Sequence, residues 1–478
     1  MKLLLVVVWA AVVVWTAWAS DDAFITLRTV DNALNGYGLR FNVAERVQAY
    51  THPLWMFVTL GATWVAGSAY LGAMWVSVAA SVASVVVLLR RIAAGTFGAV
   101  LAVTLLLSSR AFTDYSTSGL ENPLTHLLLA SFVATWWSLA AGPRRTFWLA
   151  LLVAAIMINR IDAGLLVLPA FAVAAWQRPL RGHLIAALAG FLPLALWEVF
   201  SLIYYGFLFP NTAYAKLSTG VPQLDLMAQA VHYYTNSFQT DAPTLFTIAA
   251  ALVLTAMRRK AQTWPLALGI LVYLVYIVRI GGDFMAGRFF AAPFFVAVMV
   301  VCHGPLPARW TVRGGIVATL LVARALLLSI PFDISMRHGI TDQRRLYSDG
   351  TRLATQRTYP LEGRPEAIRG RVIRETRPGV VEWGMIGITG YFAGPEVHIL
   401  DTYALSDPLL ARRPANAKWR IGHFERRVPA GYARSLRTGQ NHLESKMLAA
   451  LYDDILLATR GPLWTRDRWR AILRLNLQ

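Results

Sequence analysis

Residues 3–28 read LLLVVVWAAVVVWTAWASDDAFITLR, and the reading of this stretch decides the fold. Residues 3–19 carry no charge and follow Lys2. As a helix at 1.5 Å per residue they would extend about 26 Å, close to the ~30 Å hydrocarbon core of a bilayer. A cleaved signal peptide is the rival reading, because Ala17-Trp18-Ala19 is a small-x-small site just before Ser20. Trp9, Trp15 and Trp18, and the many apolar runs that follow, favour a retained first helix. Both readings put Asp21-Asp22 immediately beyond it, on the outer side.

The composition agrees with a chain dissolved largely in lipid. Of 478 residues, 56% are hydrophobic and 15% are charged, with 17 Trp and 22 Phe. An ordinary soluble domain has about 25% charged residues. Mean hydropathy is +0.48. This excludes a disordered chain and a nucleic-acid-binding one, despite a formal charge of +19. The single cysteine, Cys302, lies in an apolar run, which excludes a disulfide framework and a metal-thiolate site.

Further apolar runs lie at 53–70, 72–89, 94–108, 122–141, 146–158, 161–176, 184–205, 242–257, 264–280, 289–303 and 314–331. The basic clusters Arg90/Arg91, Arg144/Arg145, Arg178/Arg181, Arg258/Arg259/Lys260 and Arg309/Arg313 test which of them cross, because short cytoplasmic loops carry the cations. If every run spans, all these clusters fall outside. If 53–70 instead forms a juxtamembrane helix pair in the outer interface, broken at Gly67-Ser68, they all fall inside. The expectation is therefore an α-helical polytopic membrane protein with about eleven transmembrane helices. Residues 1–331 would form the membrane domain, with 20–71 its first outer loop. The tail, 332–478, carries 24 Lys+Arg against 15 Asp+Glu and no span. It reads as a C-terminal extracytoplasmic α/β domain, with strand-like runs at 380–388 and 397–405 and helical stretches at 441–459 and 464–476.

The same topology carries five polar segments to the outer face: 20–28, TDYSTSGLENP (113–123), NRIDAG (159–164), YYGFLFPNTAYAK (204–216) and GGDFMAGR (281–288). They are expected to line one cavity at the membrane boundary. Asp21 and Asp22 are the general-base candidates, since partial desolvation raises a carboxyl pKa; the alternative is a water-solvated helix end. Adjacent carboxylates also suit a divalent cation, although no metal site or other cofactor can be assigned from sequence. Arg28, Arg160, Lys216, Arg279 and Arg288 all fall on the motif side, against the positive-inside trend, and such a cluster implies a bound anion, with phosphate the natural choice. Snorkelling is the alternative for any one of them. Glu121 and Asp283, beside glycines at span ends, either serve the site, cap a helix N-terminus or pair with a nearby arginine. His52 and His126 are expected to make structural hydrogen bonds. Asp401 and Asp407 are read as turn residues in preference to acceptor ligands. No phosphate-binding glycine loop, nucleophile elbow or dinucleotide fingerprint is present. An acidic pair with outward cations suits a transferase whose donor is a lipid-linked phosphate: the leaving phosphate needs charge stabilisation, and a carboxylate activates the acceptor hydroxyl.

DDAFITLRTVDNALNGYGLRFNVAERVQAYTHPLW (21–55) closely resembles the first outer loop of AftB-type arabinofuranosyltransferases and related bacterial GT-C glycosyltransferases. The likeness continues in order through TSGLE (117–121), NRIDAG, YYGFLFPNTAYAK, GGDFMAGRFFAAP (281–293) and GYFAGPEVHILDTYALSDPLLARR (390–413). It implies a GT-C fold, an acidic catalytic residue in the first outer loop and a polyprenyl-phosphate-sugar donor. By motif position Asp22 or Asp21 would be catalytic. Arg160, Arg288, Lys216 and Arg28 would bind the donor phosphate, and Glu121, Asp283, Asn211, Tyr214 and His52 would shape the sugar and acceptor pocket. Ile161 stands where relatives have proline, and the tail is shorter than in the cell-wall arabinosyltransferases. The expected reaction is transfer of a pentose, arabinofuranose, to an extracytoplasmic glycan, lipopolysaccharide or pilin-like acceptor at the bacterial inner membrane. A flippase of lipid-linked sugars is the alternative from another class. It should distribute polar groups along its path on both sides, whereas here they cluster on one.

Overall fold

Helix Arg288–Cys302 is apolar around its whole circumference after the first residue, the pattern of a helix enclosed by others. In the computed structural model every one of its residues except Phe289 is buried. Helices Gly95–Ser108, Arg110–Asp114, Asn122–Ser138, Ala242–Arg258 and Trp264–Ile280 pack on it. The structure describes residues 1–304, 338–356, 361–376 and 379–477. The apolar run at 314–331 and the Arg309/Arg313 cluster lie outside the described residues.

The chain divides into two compact units, interleaved in sequence: Met1–Ala19, Met74–Leu194 and Gln223–Thr355 form the first, and Ser20–Ala73, Ala195–Pro222 and Gln356–Gln478 the second. In the first unit, Lys2–Thr16 is tied down at both ends: Lys2 Nζ donates to the Leu89 carbonyl at 2.5 Å, and Leu353 N donates to the Ala17 carbonyl at 3.0 Å. Trp264–Ile280 ends at Gly281 in the left-handed region, and the loop beyond it is clamped by Thr341. Thr341 N donates to the Phe284 carbonyl (2.8 Å) and Ala286 N to the Thr341 carbonyl (3.1 Å). A Cβ on Gly282, also at positive φ, would lie 2.5 Å from Tyr233 Cγ, so the approach admits only glycine. This clamp aims Asp283 and Arg288.

Among the described residues two helices, Ala69–Ile92 and Leu180–Tyr204, are each long and apolar enough to cross a membrane. Gln223–Thr240 and Ala242–Arg258, bent by 104° at their junction, satisfy the same test only as a pair. Several of the expected spans are helices of 14 to 17 residues. Such lengths reach only about 21–26 Å, which is why apolar runs and full-length spans do not map one to one. The run at 53–70 breaks where Gly67-Ser68 predicted: helix Pro53–Ala66 closes on Gly67 at φ 65°.

The second unit gathers the first loop with most of the tail. Strands β1 (Gly379–Trp383) and β2 (Val397–Asp401) pair in parallel, and helix Ile388–Ala393 lies in the connection between them. Ile25, Phe41 and Ala49 of the loop pack with Ile373, Ile386, Val397 and Ile399 in one apolar cluster. A second cluster joins Phe207 and Ala215 to Leu400, Leu409, Tyr432, Ile455 and Ile472. The C-terminal helices run Lys446–Arg460 and Arg466–Leu477, near the predicted stretches. The strands are shorter than predicted and form a sheet of two.

Candidate active site

The expected site residues divide between the two units: Glu121, Arg160, Asp283 and Arg288 lie in the first, and Asp21, Asp22, Arg28, His52, Asn211, Tyr214 and Lys216 in the second.

In the first unit three helix ends converge on one buried carboxylate. Glu121 precedes helix Asn122–Ser138 and is 0% exposed. Arg160 Nη1 reaches its Oε1 at 2.5 Å, and Arg288 Nη2 reaches Oε1 at 3.0 Å and Oε2 at 3.3 Å. Asp162 Oδ2 takes Arg160 Nε at 3.0 Å and the Tyr273 hydroxyl at 2.8 Å. Asp283 accepts its neighbour Phe284 N through Oδ1, while its Oδ2 stands 3.8 Å from Arg288 Nη1. That Oδ2 is buried and has no hydrogen-bond partner among the described residues. Phe289 covers the Arg160 guanidinium at 4.8 Å. Of the alternatives open for Glu121 and Asp283, pairing with arginine is realised for both.

The electrostatics of this cluster differ from a bare cation patch. Two guanidiniums meet three carboxylates, so an incoming phosphate gains contacts by taking over donors now given to Glu121 or Asp162. The unsatisfied Asp283 oxygen suits a donor hydroxyl, such as that of a sugar. Asp162, Tyr273 and Tyr233 were not singled out by sequence. Asp162 stands within a quoted motif, but Tyr273 sits in an apolar run with nothing to mark it. His126 departs from its expected structural hydrogen bonds: neither ring nitrogen has a partner among the described residues, and the ring packs against both Phe112 and Phe295.

In the second unit Asp21 is 7% exposed, and its Oδ1 accepts Ile388 N at 2.8 Å. Burial pushes its carboxyl up to about 7 against the backbone donation, and the neighbouring Asp22 charge adds to the rise. Gly387 makes the approach feasible, since a Cβ there would sit 2.0 Å from the Asp21 carbonyl oxygen. Asp22, half-buried, is the N-cap residue of helix Ala23–Leu34. The pair is thus unequal, one carboxylate pinned and deep, the other nearer the surface.

Arg28 is placed differently from its expected phosphate role. It is 2% exposed, and its Nε, Nη1 and Nη2 donate to the carbonyls of Phe41 (2.9 Å), Gly390 (2.6 Å) and Val397 (2.7 Å). The guanidinium is wrapped by backbone. Asn211 likewise directs its amide at the carbonyls of Ala404, Leu405 and Asp407. His52 Nε2 meets Thr26 Oγ1 at 2.7 Å, and Tyr214 stacks on Arg412 at 4.8 Å. Lys216 lies in the last turn of helix Asn211–Leu217. Asp401 accepts Tyr403 N and Ser406 N, and Asp407 accepts Leu409 N, Leu410 N and the Tyr432 hydroxyl, which is the turn-organising role.

Three comparisons complete the picture. The fold matches that of ArnT from Cupriavidus metallidurans, solved with undecaprenyl phosphate, at TM-score 0.54 and 12% identity, covering 83% of this chain and 85% of that one. The chain therefore shares the fold of ArnT, a GT-C glycosyltransferase. In sequence the chain is 27% identical, over 86% of its length and 81% of the relative's, to the terminal beta-(1->2)-arabinofuranosyltransferase of Mycobacterium tuberculosis. It is 28% identical to the protein of the same name from Corynebacterium glutamicum, over 64% of this chain and 51% of that one. No protein-family model matches the chain. The resemblance read from the first outer loop thus extends over most of the sequence, and the chain is a membrane glycosyltransferase, not a flippase.

Proposed function

We propose that the chain transfers arabinofuranose from a polyprenyl-phosphate donor to an extracytoplasmic acceptor hydroxyl: a glycan, a lipopolysaccharide or a pilin-like protein. The observation that carries this reading is the Glu121–Arg160–Arg288 cluster, where two buried guanidiniums are held by a carboxylate that an arriving phosphate can replace. A phosphodiester donor carries one negative charge and the released polyprenyl phosphate close to two, so Arg160 and Arg288 stabilise charge as it develops on the leaving group. By motif position Lys216 is a further candidate for the donor phosphate. Asp283 and Glu121 shape the sugar pocket, with Asn211, Tyr214 and His52 as supports. Asp22, the less buried of the pair, takes the acceptor's proton, and Asp21 holds the loop in register.

The remaining topology follows from the charge rule. About eleven spans, with residues 1–331 as the membrane domain, put the five polar motifs and an α/β tail of 332–478 on the outer side of the bacterial inner membrane. The test is donor turnover by the purified protein, scored as released polyprenyl phosphate from polyprenyl-phosphoryl-arabinose. Asp22→Asn should lower turnover by about 10³-fold, while Asp21→Asn should keep a larger share. Full activity in both variants would remove the carboxylate mechanism, and turnover of only a hexosyl donor would overturn the sugar.

A further inference from the structure

The last helix of the second unit, Arg466–Leu477, buries Arg468, Ala471, Ile472 and Leu475 and leaves its opposite face uncovered. It also sits on the end of a membrane-crossing helix, Leu180–Tyr204, whose last ten residues belong to the same unit. Arg468 Nη2 donates to the Tyr204 carbonyl at 3.3 Å, and Asn476 Nδ2 donates to the Gly206 carbonyl at 2.9 Å. Between them, Ile472 Cγ1 lies 3.2 Å from where a Cβ on Gly206 would stand. Residues 468 and 476 are about 12 Å apart along the helix axis yet reach carbonyls two residues apart, so the span's end abuts the middle of this helix.

The level of that junction in a bilayer follows from the span. Its 25 residues reach about 37 Å, roughly 7 Å more than a hydrocarbon core. Leu188, Leu192, Leu196 and Val199 are exposed along it, as contact with acyl chains requires. Its last turns are aromatic, with the Phe200 ring 5.3 Å from both Trp197 and Tyr204, the composition of a membrane–water boundary. Tyr204 and Gly206 therefore stand among the headgroups, and helix Arg466–Leu477 lies against them.

The uncovered face is ordered to match. At about 100° per residue, the row Arg468–Ile472–Asn476 that meets the span is followed around the helix by Trp469 and Leu473, then by Arg466, Leu477 and Arg470, and last by Arg474 and Asp467. Leu473 is 57% exposed and Leu477 82%, as is Trp464 at 73% just before the helix. Apolar side chains thus lie next to the span and guanidiniums beyond them, the order in which a helix enters the acyl boundary while its cations reach lipid phosphates. Arg474 is engaged by Asp454 at 2.8 Å. Arg470 has only the helix's single acid, Asp467, at 3.6 Å, and both side chains are more than two-thirds exposed, a pairing too solvated to keep an arginine from a phosphate. We propose that Arg466–Leu477 is an interfacial helix that sets Leu473 and Leu477 in the acyl boundary beside the span and binds anionic phospholipid headgroups through Arg466 and Arg470. The inference is independent of the glycosyl-transfer reading.

The test uses the full-length protein in vesicles of phosphatidylcholine and phosphatidylglycerol, with a fluorophore on Leu473→Cys or, in a second protein, on Asp467→Cys. Both positions are exposed, and the native Cys302, 1% exposed, is out of the label's reach. The two sites lie about 120° apart on a helix about 10 Å across. Lipids brominated in the upper acyl chain should quench the label at 473 more than at 467, and aqueous iodide the reverse. Brominated phosphatidylglycerol should quench the 473 label more than brominated phosphatidylcholine at equal mole fraction, an enrichment of up to about fivefold per arginine. Adding Arg466→Gln and Arg470→Gln should bring the two lipids to equality while the contrast between 473 and 467 is kept. Iodide quenching as strong at 473 as at 467 overturns the proposal, because the face then meets water. A 473 label shielded from both lipid and iodide also overturns it, in favour of a protein on this face. Equal quenching by the two lipids before the arginines are changed, or an enrichment that survives their loss, overturns the headgroup site.

Discussion

The two units bury charge in opposite ways. In the first, a buried carboxylate faces guanidiniums: Glu121 between Arg160 and Arg288, Asp162 on Arg160, Asp114 on Arg344. In the second, buried charges are met mainly by backbone. Asp21, Asp401 and Asp407 accept amide protons, and Arg28, Arg426 and Arg468 donate to carbonyls from scattered parts of the chain. Each unit has its exception: the Glu45–Arg460 pair at 3.2 Å in the second, and in the first Asp241, which accepts Arg110 N, Ala111 N and the Thr244 hydroxyl. A side-chain pair can exchange one partner for a ligand of like charge by a rotamer change, whereas a charge bonded to several backbone groups can be released only by unfolding them. The first arrangement suits an anion that arrives and leaves; the second suits a fixed frame for catalytic groups.

The largest effect should come from breaking the exchangeable arrangement. Glu121→Ala leaves two buried guanidiniums without their shared counter-charge, and removing one partner of a buried pair typically costs about 3–5 kcal/mol. The unfolding temperature in detergent should fall accordingly. If the carboxylate holds the place of a phosphate, added polyprenyl phosphate should recover more of that fall in the variant than it raises in the wild type. Equal ligand-induced shifts in both would show that the guanidiniums do not grip phosphate.

Arg28 supplies the converse test, with a smaller expected effect. Arg28→Ala strands three buried carbonyls and should cost about 2–4 kcal/mol, since hydrogen bonds to charged groups are worth about 1.5–3 each and are not additive. Arg28→Lys should recover only part, because one ammonium lacks the planar fork that reaches Phe41, Gly390 and Val397 together. Donor KM, measured below the lowered unfolding temperature, should stay within about twofold. A tenfold rise in donor KM with stability intact would return Arg28 to the phosphate-binding set.

Three arginines show how far sequence reasoning reaches. Arg160, Arg288 and Arg28 look alike as letters: each stands in a polar motif beside an apolar run. What separates them is the partner, and the partners are remote. Glu121 is 167 residues from Arg288, and the Gly390 and Val397 carbonyls are 362 and 369 residues from Arg28. Charge type and motif position are local properties, whereas carbonyls carry no letter at all. The Asp21-Asp22 pair, the break at Gly67 and the clamp glycines were legible because backbone geometry and helix ends leave local marks. Helix bounds were legible for the same local reason: the runs at 94–108, 242–257, 264–280 and 289–303 coincide to within about a residue with helices Gly95–Ser108, Ala242–Arg258, Trp264–Ile280 and Arg288–Cys302. Tyr273 left no such mark, being a ring in an apolar run.

The smallest effect expected is in the pH dependence of stability. Burial raises Asp21 and Asp401 to about 7 and Asp407 to about 8, against an unfolded carboxyl near 3.9. The folded protein thus holds protons on these groups that the unfolded chain has already lost. Their contribution is fully present below about pH 4 and declines as pH rises towards 8. The backbone donors at each carboxylate oppose the shift, so the change should amount to a fall of a few degrees in unfolding temperature between pH 6 and pH 8.5. Asp407→Asn keeps an acceptor for Leu409 N and Leu410 N while removing the titration, and should flatten that slope. A wild-type unfolding temperature that rises over the same interval would mean that the backbone amides hold these carboxylates ionised, and the second unit would then bury full negative charges on amide donors alone.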